Sequence, residues 1–157
     1  MDAPGKRFVV DSMLGKVAKW LRILGFDTRY ERLSSQGQID AYTREGFLVI
    51  TRNRRWCGQS RVFCPKANDS MQQLIEVIEG VPITPEEVRA LHRCIRCNQL
   101  LQNLPLELAV GCVPEYVLET NTVLYKCPEC HRVYWPGTHP ERIKERLQRA
   151  VGWHIET

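Results

Sequence analysis

No stretch of this chain approaches the ~20 consecutive apolar residues that a membrane-spanning helix requires, so no membrane partner is expected. Residues 1–7 lead straight into an apolar run that reads as a strand, without the pattern of a secretory leader. Internal repeats and low-complexity tracts are lacking, which leaves one ordinary globular domain or two small ones. Acid is missing from one region in particular. Between residues 46 and 68 stand Arg52, Arg54, Arg55, Arg61 and Lys66, with no Asp or Glu. The net charge of +4 is modest, but its distribution is uneven. Residues 76–119 are net acidic, and the last helical segment carries Arg142, Lys144, Arg146 and Arg149. Such asymmetry points to a phosphate-bearing partner on one face; ordinary solvated surface is the plainer reading.

The chain has seven cysteines, and four of them form two C-x-x-C pairs, Cys94/Cys97 and Cys127/Cys130. A C-x-x-C turn lets two thiolates converge on one ion, and two such turns complete a tetrahedral S₄ site that favours zinc. Pro128 suits a sharp turn in the second pair, and Arg93 and Arg96 are placed to steady the thiolates of the first. The gap between the pairs exceeds the commonest zinc spacing, so the segment between them is expected to form a hairpin or small ribbon. Two disulfides or four buried thiols are the competing readings. Cys57, Cys64 and Cys112 remain over. They read as small buried or semi-buried residues of a protein in a reducing, intracellular setting, cytoplasmic or nuclear.

Hydrophobic periodicity supplies the coarse structure. Residues 8–11 read as a buried strand ending in Asp11, with Ser12 as a helix N-cap. Leu14, Val17, Ala18, Leu21 and Leu24 then recur at helical spacing up to Gly25, a C-terminal stop. A strand over 27–30, a helix over 38–45 and a continuous apolar strand over 47–51 follow. A basic loop over 52–59, a short strand over 62–64 and a helix capped by Asn68 or Asp69 complete an α/β unit with an open parallel sheet. Residues 81–85 form a linker. Thr84 and Glu87 frame a capping box for a short helix ending at residue 91 or 92. A second capping-box pattern over 138–141 opens the basic C-terminal helix, with His139 as its first residue.

In an open α/β sheet, ligands bind beyond the carboxyl ends of the strands. Asp11 and Asn53 follow strand ends, Asp40 lies on the helix between them, and Asp69 follows the last strand. Carboxylates gathered there would bind Mg²⁺ or Mn²⁺ and support phosphodiester chemistry. Plainer roles are available: Asp11 capping the first helix, Asp40 solvated, Asp69 as an N-cap with Gln72. Trp56 among arginines offers a surface for base stacking, or it packs against the body. Trp20 reads as core.

With these residues in place, the chain resembles the C-terminal RNase domain of the Mutator-seven and Nibbler type of 3′-to-5′ exonucleases. The matching stretches are FVVDSMLGKVAKWLRILGFDT, IDAYTREGFLVITRN, RCIRCNQLL and CPECHRVYWPGTH, in the family's order. The resemblance implies a PIN-like α/β domain over 1–82, then a zinc-ribbon module with flanking helices over 83–157. It implies Asp11 and Asp40 as the first two catalytic acids. The third acidic position is Asn53 in this sequence, which keeps an oxygen but loses the charge, and Asp69 is the candidate substitute. The expected function is therefore binding of single-stranded RNA, through Lys16, Lys19, Arg52, Arg54, Arg55, Trp56, Arg142, Lys144 and Arg146. This would assist RNA processing by an exonuclease domain or partner subunit. A Mg²⁺- or Mn²⁺-dependent RNase is the alternative, and a protein-interaction platform the third reading.

Overall fold

A computed structural model describes residues 5–136 and 138–153, with the backbone alone for 138–141. The capping pattern expected over 138–141, and His139 within it, lie outside the side chains described. Strand β1 (Arg7–Asp11) is followed by a 3₁₀ turn (Ser12–Leu14) and helix α1 (Gly15–Ile23). Then come β2 (Asp27–Glu31), α2 (Gln36–Arg44), β3 (Leu48–Ile50), β4 (Val62–Phe63) and α3 (Ser70–Gly80). The four strands form a parallel sheet in the order β2-β1-β3-β4. Phe8, Val9 and Val10 are wholly buried. Such continuous burial is what a parallel strand covered on both faces requires.

Alternation along the strands sorts their side chains to two faces. Phe8, Val10 and Ile50 join Val17, Leu21, Leu74 and Val77 in the larger core, against α1 and α3. Val9 and Val49 face the other way, with Leu33, Ile39, Phe47 and Trp56. Local chemistry sets the helix ends. Ser12 does not cap α1: the Asp11 carboxylate accepts the Ser12 N–H at 2.8 Å, and a 3₁₀ turn intervenes. Helix α2 starts at Gln36 rather than Gln38, because Ser35 and Gln38 make a reciprocal capping box. Gly25, at φ 97°, turns the chain out of α1, and a Cβ there would stand 2.3 Å from the Arg89 carbonyl oxygen.

The second part begins with a 3₁₀ turn (Pro85–Glu87). The helix expected to run to residue 91 or 92 stops there, since Val88 is already extended. Strands β5 (Gln102–Leu104), β6 (Leu124–Lys126) and β7 (Val133–Tyr134) form an antiparallel sheet. Short helices α4 (Leu106–Ala109) and α5 (Glu115–Thr120) occupy the long gap between the cysteine pairs. This ribbon has a small core of Ala109, Val117 and Leu124. Helix α6 (Thr138–Val151) returns to the α/β body. Its Ile143 and Leu147, with Trp153, share the core of Phe8 and Leu21, as do Ile83 and Val88. The larger core therefore crosses the 82/83 position at which the linker suggests a boundary. No helix among the described residues is long and apolar enough to cross a membrane.

Candidate metal centre and sheet-edge site

The Sγ atoms of Cys94, Cys97, Cys127 and Cys130 all lie within 4.8 Å of one another. A tetrahedron with Zn–S bonds of ≈ 2.3 Å has edges of about 3.8 Å, and Cys94 and Cys130 stand 3.7 Å apart. The two pairs share one backbone design. The Asn98 N–H donates to the Cys94 carbonyl at 2.9 Å, and the His131 N–H to the Cys127 carbonyl at 3.0 Å. Asn98 and His131 both have positive φ, at 63° and 64°, a conformation that Asn and His adopt more readily than most residues. In each turn an N–H is directed at the first sulfur, from Cys97 to Cys94 and from Cys130 to Cys127. The donor set, its spacing and these N–H groups fit zinc. The site would close on four protein ligands and serve structure rather than reaction.

Electrostatics in the cluster follow from crowding four thiols. Burial works to raise the Cys94 thiol, yet hydrogen bonds from the Tyr134 hydroxyl and the Cys97 and Arg96 N–H groups bring it down to about 7. Burial, then hydrogen bonding to Cys130 and the charge of Cys94, push Cys97 up to about 12. The Cys94 thiolate is thus easily formed, whereas Cys97 and Cys127 are pushed up, by burial first. Arg22, from α1, interacts with the sulfurs of the first pair. Burial lowers its pKa, while Cys94, Cys97 and Asp27 hold it up. Arg93 donates instead to the carbonyls of Gly25 and Asn98. Arg22 also donates to the Ile95 carbonyl at 2.9 Å, and Asn98 bridges the Thr28 N–H and Asp27. These bonds fasten the first cysteine turn to α1 and β2.

The sheet edge has a different chemistry. Strand order reverses between β1 and β3, which opens a crevice beyond their carboxyl ends. Asp11 lies there, only 1% exposed. One carboxylate oxygen accepts the N–H of Ser12 and of Leu33, at 2.8 and 3.1 Å; the other accepts the Thr51 hydroxyl at 2.7 Å. Asp11 therefore ties the end of β1 to the segment after β2 and the segment after β3. Asn53 is half-buried, and its side-chain oxygen accepts the Arg55 N–H at 3.0 Å, closing a local Asx turn. Asp40 is exposed and accepts from Gln36 at 2.9 Å, and Gln36 in turn pairs with Gln59 of the basic loop. Asp69 caps α3 by accepting the Gln72 N–H at 3.0 Å. Among the described residues, the four cysteines are the one set of three or more His, Cys, Asp or Glu gathered closely enough to hold an ion.

One acid escaped the reading of strand ends. Glu31 stands in register with Asp11 on the neighbouring strand, so its side chain leaves the sheet on the same face. Its Oε1 is buried without a hydrogen-bond partner. Burial, then the Glu31 carboxylate, raise the Tyr42 phenol above its usual pKa. Extending the strand expected over 27–30 by one residue would have found it.

The cations fall into two groups. Arg52, Arg54 and Arg55 are exposed on the β3–β4 loop, where Arg52 donates to the Lys66 carbonyl and to Asn68. Lys19, Arg142 and Arg146 line a separate cleft between α1 and α6. Lys16 is exposed one turn before Lys19, and Lys144 is half-buried on α6. Trp56 is corrected: at 1% exposure its ring is part of the smaller core, with no face for a base. Trp20 is half-buried against the larger core. Cys57 and Cys64 are also corrected, because they form a disulfide across the basic loop. Turns in that loop bring the two sulfurs together. Cys112 is free and exposed rather than buried.

The sequence profile of one protein family, the Mut7-C RNAse domain, matches residues 6–147. No curated protein and no solved structure matches the chain.

Proposed function

This chain belongs to the Mut7-C RNAse domain family, and from that premise we propose that it binds single-stranded RNA while retaining little capacity to cleave it. The observation that carries this reading is the occupancy of Asp11. Its carboxylate accepts three hydrogen bonds from the protein itself. A divalent ion would have to displace some of these, and breaking a bond to a buried charged group costs about 1.5–3 kcal/mol. Asn53 brings no charge and directs its oxygen into a local turn. The exposed arginines beside this edge hold phosphates without sequence preference. Zinc supplies the ribbon's rigidity. A 3′–5′ exonuclease domain or subunit, acting on the RNA so held, is the partner this role implies.

Glu31 favours a second reading, a Mg²⁺- or Mn²⁺-dependent RNase. Its register with Asp11 and its unpartnered oxygen offer a second carboxylate in place of the missing third acid. Binding and cleavage of a labelled single-stranded RNA, with and without Mn²⁺, separate the two readings for wild type and Asn53→Asp. Binding without turnover in wild type, and turnover gained in Asn53→Asp, is the expected pattern. Metal-dependent turnover by wild type that is lost in Glu31→Gln would instead establish the RNase. Absence of any RNA binding at low salt would refute the proposal.

A further inference from the structure

We propose that the cleft between α1 and α6 is a nucleotide subsite, which takes one base of single-stranded RNA on Trp20 and its flanking phosphates on the surrounding cations. This rests on the RNA-binding reading above and assigns it a second place, away from the sheet edge. The cleft arises from two amphipathic helices meeting at their margins. On α6, Ile143 and Leu147 turn into the core. Arg142, Arg146 and Arg149 recur at i, i+4 and i+7 beside them, so they form one stripe. On α1, Val17, Ala18 and Leu21 are buried, which leaves Trp20 at the margin, half in the core and half in the cleft, with Lys19 exposed beside it.

The resulting cavity is about 360 Å³, lined by Trp20, Lys19, the three arginines and a single acid, Glu145. That volume lies at the lower end for small-molecule sites. It suits one nucleotide. Among the described residues, none of Lys19, Arg142, Arg146 and Arg149 is in an ion pair. Like charges one turn apart on a helix oppose one another, and a polyanion in the cleft would relieve the opposition between Arg142 and Arg146. Cations alone would suit any anion. The indole narrows the choice, because its face stacks on a nucleobase while arginines hold the phosphates on either side.

The test uses the full zinc-loaded chain and a 5′-labelled 12-nucleotide single-stranded RNA. Arg142→Ala/Arg146→Ala is expected to weaken binding by about tenfold or more. It should also flatten the slope of log K against log salt by about 1.4, from about 0.7 for each of two lost phosphate contacts. RNA should quench the fluorescence of wild type, and Trp20→Leu should remove that quench. Both arginines are exposed, so the double variant carries the test even if Trp20→Leu melts. Wild type that binds RNA, alongside a double variant with unchanged affinity and salt slope, would overturn this subsite and leave the general RNA reading standing. Wild type that binds no RNA would overturn both.

Discussion

Stripping the metal from zinc-loaded protein with a strong chelator is expected to unfold the ribbon and spare the α/β body. The magnitudes come from the two cores. The ribbon fully buries Ala109, Val117 and Leu124, which together contribute roughly 5 kcal/mol. A structural zinc contributes about 10–16 kcal/mol at pH 7, so the metal outweighs this core even if the partly buried neighbours double the first figure. The body instead has its own large core, from Phe8 on β1 through Val77 and Ile78 on α3 to Leu147 on α6. Hydrogen exchange read by mass spectrometry should therefore show lost protection across β5, β6 and β7, with β1, β3 and α3 still protected. Cys127→Ser should reproduce this pattern. The pH dependence has a definite sign. Without metal, Cys94 titrates at about 7 and Cys97 at about 12, whereas zinc requires thiolates. Binding must then release protons, and apparent affinity should rise with pH and fall as pH drops through 7. Metal analysis should give about one zinc per chain. A ribbon that stays protected when metal-free, or protection lost evenly across both sheets, would refute the reasoning.

Three further outcomes are expected. Asp11→Ala should cost about 3–5 kcal/mol in denaturant unfolding, because it strips partners from the Leu33 N–H and the buried Thr51 hydroxyl. Asp40→Ala, at an exposed position, should stay within about 0.5 kcal/mol; equal stability of the two variants would show that Asp11 is not the clamp described. Titration of non-reduced, zinc-loaded protein should find one reactive thiol, Cys112, because Cys57 and Cys64 are paired. Cys57→Ser should lower stability by about 2 kcal/mol, the loop-closure contribution of so short a ring. Three reactive thiols would rule the disulfide out.

Periodicity and spacing by themselves determined much of this protein. The run from Phe8 to Asp11, the stripe Leu14, Val17, Leu21 and the apolar β3 segment specify a parallel α/β body, because burial on both faces leaves its mark in consecutive residues. The two C-x-x-C pairs specify the metal cluster, because each turn is local and brings its own two sulfurs together. Tertiary structure decided whatever depends on partners distant in the chain. Trp56 sits among arginines in sequence but is buried by Leu33, Ile39 and Val49. Arg22, more than seventy positions before the first cysteine pair, lies beside it, while the adjacent Arg93 turns to backbone carbonyls. Cys57 and Cys64 meet only through the bend of their loop, and Glu31 joins Asp11 only through strand register. The cleft of Trp20, Arg142 and Arg146 exists because α6 folds back over α1. A sequence records which side chains must leave water, but not which distant ones they will meet when they do.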